Sequence, residues 1–317
     1  MNFSDALAKT PFPFLSRAIM KKKIQPCVAV VLGGGFAKGV AQLGVLKVLE
    51  ELEIKIDLLV GNSIGGLMAA LYASRPIASE CEKIALAFEW KNISDWGIPR
   101  RALFKGQKLE AFIRDALRKE SFDDLSIPTA VITTDLRSGD EIVLCGRTLA
   151  ATRKQPQKKT YYYHKVVFQE APLVNSVRAT CAVPGIFNPV DMGDRMLCDG
   201  LLCDNLPVGV AKMLGAEFVI AVDLSNDEGE VSLNNIVNII VRAQSLQTRT
   251  LILPQARAAD VLIRPDLRGI SFTDFSEGPR FLERGRIAAQ NAADEIVTKL
   301  RKRREGFPFG FFRGSSS

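Results

Sequence analysis

The sequence predicts an α/β fold, with a mainly parallel central sheet flanked by helices in three layers. Two consecutive strand–glycine turn–helix units open the ordered part of the chain, and a further apolar run at Phe218–Val222 repeats the signature of a strand buried on both faces. The 317 residues, 47% hydrophobic and 24% charged, have the composition of a folded globular protein with enough chain to bury a large core.

Residues 1–26 read as an appendage, because Pro11, Pro13 and Pro26 interrupt any long helix. The main domain is expected over residues 27–302. Cys27–Leu32 is a continuous, partly β-branched apolar run ending in three glycines, as a doubly buried strand would. From Gly39 to Leu52 the apolar residues Val40, Leu43, Leu46 and Leu49 recur at helical spacing. Ile54–Val60 reads as the second strand, Gly61–Gly65 as its turn and Gly66–Ser74 as a helix.

Residues 79–120 are mostly helical by pattern. Ile127–Thr134 reads as a strand, with Glu141–Leu144 pairing back across Ser138-Gly139-Asp140. Residues 147–170 depart from this regular patterning, since Arg147, Arg153, Lys154, Lys158, Lys159 and Lys165 surround Tyr161-Tyr162-Tyr163, as in an exposed flap or insertion. Helices are expected at 231–250 and 279–302. A basic and then aromatic tail follows over 303–317.

The net charge of +7 suits an anionic partner, whether nucleic acid, an acidic metabolite or a negatively charged membrane surface. The six cysteines include no C-x-x-C pair and the chain has one histidine, so neither a zinc site nor a disulfide framework is expected and the thiols point to a reducing compartment. The N-terminal apolar residues precede Lys21-Lys22-Lys23, the reverse of a secretory signal. The longest mostly apolar stretch, Leu58–Ala73, is broken by Asn62, Ser63 and glycines and is shorter than the roughly 20 residues of a spanning helix. The expected location is cytoplasmic, with peripheral contact on the inner membrane surface. Phe12-Pro13-Phe14 beside Lys21–Lys23, the Tyr-rich flap and the basic-aromatic tail suggest that contact; solvated charge and loose terminal packing explain the same features.

Gly61-Asn62-Ser63-Ile64-Gly65 lies between a predicted strand and a predicted helix. There a G-x-S-x-G turn pushes the serine Oγ out at the sheet end, near a helix N-terminus. The same pattern also occurs by chance. Gly33-Gly34-Gly35-Phe36-Ala37-Lys38-Gly39 is a second glycine turn in the same kind of setting. It fails the dinucleotide pattern, and Val40-Ala41 stand where a P-loop needs Lys and Ser or Thr. An oxyanion hole and a tight packing turn remain as readings.

A serine nucleophile needs a base. His164, the single histidine, sits inside the basic flap and is a poor candidate. Asp199-Gly200, between Met196-Leu197-Cys198 and Leu201-Leu202, is either a carboxylate base or a hairpin turn.

The glycine turn, Gly61–Gly66, and Val183-Pro184-Gly185-Ile186-Phe187-Asn188-Pro189-Val190 leading into Asp199–Val208 together resemble the patatin-like phospholipase family, in the bacterial branch similar to neuropathy target esterase catalytic domains. The resemblance runs from about Val28 to Leu224. It implies a Ser–Asp dyad without histidine, acting on lipid acyl esters through an acyl-enzyme, with no cofactor or metal and no nucleic-acid partner. On that basis Ser63 is the nucleophile, Asp199 the base, and Gly34, Gly35 and Phe36 the oxyanion amides; Lys38, Gly39, Gly61, Gly65 and Gly200 complete the motifs. Phe36 stands where the family usually has glycine, Lys38 where it has arginine, Asn62 where threonine is common, and Leu201 where Gly or Ala is preferred. A catalytically silent lipid-binding or scaffold protein of the same fold is the alternative.

Overall fold

The computed structural model describes residues 26–96, 101–152, 165–225, 233–270 and 275–305. The N-terminal appendage up to residue 25, the Tyr161–Tyr163 cluster with His164, and the tail beyond Glu305 lie outside them.

The strands in chain order are β1 (Val28–Leu32), β2 (Leu58–Asn62), β3 (Ala102–Phe104), β4 (Thr129–Asp135), β5 (Glu141–Cys145), β6 (Val166–Glu170), β7 (Gly185–Phe187), β8 (Val190–Met192), β9 (Arg195–Asp199), β10 (Phe218–Val222) and β11 (Val261–Ile263). Nine of them form one sheet whose main path runs β11-β10-β1-β2-β4-β5-β6, while β9 joins β4 and β8 joins β9. From β11 to β4 the neighbours are parallel; β5 and β9 both run antiparallel to β4. A separate ribbon pairs β3 with β7.

The helices are α1 (Val40–Glu51), α2 (Ile64–Ser74), α3 (Ala78–Leu86), α4 (Trp90–Ile93), α5 (Gln107–Leu117), α6 (Arg147–Thr152), α7 (Leu173–Thr180), α8 (Val208–Met213), α9 (Ile236–Ala258) and α10 (Gly278–Glu305). Successive residues of β1 enter opposite layers. Val28, Val30 and Leu32 join the core made with α1, α2, α5 and α7, while Ala29 and Val31 join a smaller core with α8 and the end of α9. This is why the strand reads as an unbroken apolar run rather than an alternation.

Several expectations shift. The second strand starts at Leu58 rather than Ile54, and its helix starts at Ile64, immediately after the serine. Residues 79–120 split into three short helices around β3. The expected flap is partly regular, since α6 occupies its start and β6 pairs with β5 at its end. The helix expected at 231–250 runs instead from Ile236 to Ala258 and continues past Pro254.

Helices α1 and α10 pack closely because glycines face each other's backbone. A Cβ on Gly285 would lie 1.8 Å from the Ala41 carbonyl oxygen, and one on Gly44 would lie 2.1 Å from that of Leu282. Gly285→Ala is therefore expected to destabilise the fold by about 1–3 kcal/mol, against the roughly 1 kcal/mol that alanine gains in helix propensity. Urea unfolding of the variant checks this, and a gain in stability would contradict the close approach.

Candidate active site

β1 and β2 lie side by side with Leu32 opposite Gly61, so both glycine turns emerge at the C-terminal edge of the parallel sheet. In open α/β sheets that edge is where ligands bind. Ser63 follows β2 directly and caps α2 with φ 55° and ψ −130°, a backbone region that side chains rarely adopt. The sharp reversal brings the start of α2 back onto the strand ends. A Cβ on Gly65 would meet the Leu32 carbonyl oxygen at 2.2 Å, and one on Gly61 would meet the Gly65 carbonyl oxygen at 2.4 Å. Both glycines are thus required by close approach of backbone to backbone. Gly39 is in the same position against the Ile64 side chain, at 2.3 Å.

Asp199 ends β9 and is fully buried, beside Thr133 of β4. The hairpin reading of Asp199-Gly200 does not hold, because the chain passes from β9 into a single 3-10 turn, Gly200–Leu202. Gly200 is needed for contact, since a Cβ there would lie 2.5 Å from Asn62 Oδ1. The carboxylate accepts at Oδ1 from the Leu201 amide (3.0 Å) and from Asn62 Nδ2 (3.3 Å). Oδ2 is buried without a hydrogen-bond partner. Burial pushes the carboxyl up to about 7 from its ordinary 3.8, while the Ser63 hydroxyl, the Leu201 amide and the Asn62 amide act in the opposite direction. The serine thus senses the carboxylate without an aligned hydrogen bond to Oδ2, a geometry common before substrate tightens a site.

Three residues without a role in the sequence reading hold this arrangement. The Ser63 amide donates to Thr180 Oγ1 at 2.8 Å, and Thr180 Oγ1 donates to the Ile132 carbonyl at 2.5 Å. Asn62 Nδ2 also donates to Asn205 Oδ1 at 2.8 Å. Asn62, which stands in the sequence where threonine is common, joins Asp199 to Asn205. Asn205 lies in the Asp199–Val208 block, which was its only signal; Thr180 had none, because nothing local distinguishes a helix-terminal threonine.

The first glycine turn sits against the serine, with a Cβ on Gly34 reaching Ser63 Cβ at 3.1 Å. The expectation of three oxyanion amides needs one correction: the Gly34 amide already donates to the Asn205 carbonyl at 3.2 Å. Gly35 and Phe36 remain as candidates. Phe36 has φ 55°, in the left-handed region that glycine occupies without strain. Lys38 is buried and its Nζ donates to the Leu224 carbonyl at 3.3 Å, tying the turn to the end of β10.

Two cavities meet at Ser63. One, about 600 Å³ and open to solvent, is bordered by Gly34, Gly35, Lys38, Gln244, Ser245 and Arg249. The other, about 410 Å³, has an apolar wall that includes Ile64, Leu67, Phe88, Leu109, Phe187 and Phe275. A third, about 340 Å³, shares Ile64, Leu67, Phe88 and Phe275 with it and continues toward Leu71 and Ala116.

The family model of patatin-like phospholipases matches residues 30–212. The chain belongs to the patatin-like phospholipase family. Patatin-like phospholipase domain-containing protein 6 of Homo sapiens is 32% identical over 216 residues, covering 65% of this chain and 14% of that protein. Lysophospholipase nte1 of Aspergillus oryzae is 29% identical over 225 residues, 69% of this chain and 13% of that protein. This chain therefore spans only a small part of the length of either relative. Among solved structures, VipD from Legionella pneumophila has the same fold with a TM-score of 0.51 at 13% identity, covering 88% of this chain and 67% of that one. Members of the family are generally lipid ester hydrolases. Among its described residues no helix is long and apolar enough to cross a membrane.

Proposed function

We propose that the chain is a lipid acyl hydrolase of the phospholipase A or lysophospholipase kind, working through a Ser63–Asp199 dyad. The observation that carries the reading is the buried Asp199 carboxyl. It is raised to about 7, keeps one oxygen unpartnered, and shares a hydrogen-bond network with the strained Ser63 turn. In the proposed reaction Ser63 Oγ attacks the ester carbonyl carbon while its proton passes to Asp199. The Gly35 and Phe36 amides receive the charge on the carbonyl oxygen, with the N-terminus of α2 adding its dipole. As the C–O bond breaks, Asp199 returns the proton to the leaving alcohol. Water, deprotonated by the same carboxylate, then attacks the acyl carbonyl carbon, and Asp199 passes that proton to Ser63 Oγ as the C–Oγ bond breaks and the fatty acid leaves. The apolar cavities suit an acyl chain, and the solvent-open cavity, with Lys38, Gln244, Ser245 and Arg249 among its lining, leaves room for the rest of the lipid.

A fluorophosphonate probe tests this cheaply. It should label wild-type protein, leave Ser63→Ala unlabelled, and label His164→Ala as well as wild type, and His164→Ala should hydrolyse lysophosphatidylcholine at an undiminished rate. Absence of a Ser63 adduct would favour the silent lipid-binding alternative, and loss of turnover in His164→Ala would overturn the dyad.

A further inference from the structure

Helix α9 has two unlike long faces. Its inner face reaches the Ser63 cavity through Val241, Gln244, Ser245 and Thr248. Its opposite face carries Ile236, Ile239, Leu246 and Leu253, each 49–57% exposed. Ile239, Leu246 and Leu253 recur every seven residues, two helical turns apart, so they form one apolar line about 20 Å long. Arg242, three residues after Ile239 and four before Leu246, adjoins this line, Arg249 borders the Ser63 cavity, and Arg257 follows in the last turn. No Asp or Glu occurs anywhere from Ile236 to Ala258.

We propose that this outer face of α9 docks on an anionic lipid surface, which brings the helix that borders the Ser63 cavity to the layer from which substrate is drawn; the second half of that statement rests on the lipid-hydrolase reading above. A helix with an apolar stripe, arginines at its border and no acidic residue suits the interface of a negatively charged bilayer, where the stripe enters the acyl boundary and the guanidinium groups meet phosphates. The chain's net charge of +7 acts in the same direction. The β3–β7 ribbon touches the inner side of the helix. Gln244 Nε2 donates to the Pro184 carbonyl at 3.4 Å beside β7, and the paired strand β3 carries Phe104, whose ring lies 4.8 Å from that of Trp96. Trp96 is 72% exposed.

A second copy of the chain fits the stripe less well. A coiled-coil seam needs a second apolar line beside the first, and here that line reads Ile236, Ala243, Thr250, Arg257, becoming polar toward its end. Nor does the helix supply acidic residues to pair with its own arginines across such a seam.

The test uses the full chain with Ser63→Ala, so that binding is measured without hydrolysis. It should pellet with phosphatidylcholine vesicles containing phosphatidylglycerol, more weakly with phosphatidylcholine alone, and less as salt is raised. Adding Ile239→Ser, Leu246→Ser and Leu253→Ser should weaken binding to the anionic vesicles roughly 100-fold, through loss of apolar burial. In the Ser63 background the same three changes should leave thermal unfolding and hydrolysis of a water-soluble short-chain ester unchanged. Vesicle binding that survives the three changes, or Ser63→Ala protein that pellets with neither vesicle or equally with both, overturns the proposal. A dimer that dissociates in the triple variant with vesicle binding intact assigns the stripe to a second copy instead. Failure of short-chain ester hydrolysis in the Ser63 protein would sink the hydrolase reading while leaving the binding result to stand by itself.

Discussion

Asp199→Asn should make the protein more stable at pH 8 while lowering ester turnover by a factor of about 10³ or more. The stability half follows from linkage. The folded-state carboxyl titrates near 7, above its ordinary 3.8, because burial disfavours its charge. A raised carboxyl pKa means that the folded state holds the proton more tightly than the unfolded chain. Its favourable contribution is therefore present at low pH and is lost as pH rises from about 4 through about 7. At pH 8 the wild type carries a buried, incompletely satisfied carboxylate that costs a few kcal/mol, since each tenfold change in proton affinity is worth about 1.4 kcal/mol. Asparagine removes the charge and keeps an oxygen for the Leu201 and Asn62 donors. Urea midpoints at pH 8 and at pH 4 check this, because the advantage should shrink as the pH falls. The catalytic half has its own pH signature: wild-type kcat/KM should rise through a midpoint near 7 as Asp199 loses its proton. A flat profile between pH 5 and pH 9 would exclude Asp199 as the base.

Ser63→Ala and Ser63→Gly should both reduce hydrolysis by about 10³-fold or more, yet they should differ in stability. Alanine keeps a Cβ at φ 55° and ψ −130°, so the strain of the turn persists. Glycine occupies that region freely, and releasing strain of order 1–3 kcal/mol should outweigh the greater entropy of its unfolded chain, about 1 kcal/mol at most. Calorimetry on both variants provides the comparison. If Ser63→Gly is no more stable than Ser63→Ala, the turn is not strained, and the placement of Ser63 at the cavity needs another cause.

These expectations concern a site whose parts were unequally visible before folding. Ser63 and its two glycines were legible because a strand-to-helix reversal is a local event: its residues are contiguous, and the glycines mark where backbone meets backbone. Asp199 was legible as a residue but ambiguous as a role. Asp-Gly between apolar runs satisfies a hairpin as well as a buried carboxylate, and only its placement beside Asn62, 137 residues away in the chain, separates the two. Phe36 was visible as a departure from glycine, but its positive φ was not. Thr180 and Asn205 could not be read as site residues at all, because their hydrogen bonds to Ser63 and Asn62 span 117 and 143 residues.

The sequence by itself determined the layered α/β architecture, the two glycine turns and the family, since these rest on runs and spacings within short windows. Tertiary structure decided which amides of the first turn are already engaged, how burial raises the Asp199 carboxyl, and which face of α9 meets the Ser63 cavity. The physical reason is the same in each case. Desolvation and hydrogen-bond satisfaction depend on what the sheet brings together from distant parts of the chain, and no local pattern of residues encodes that.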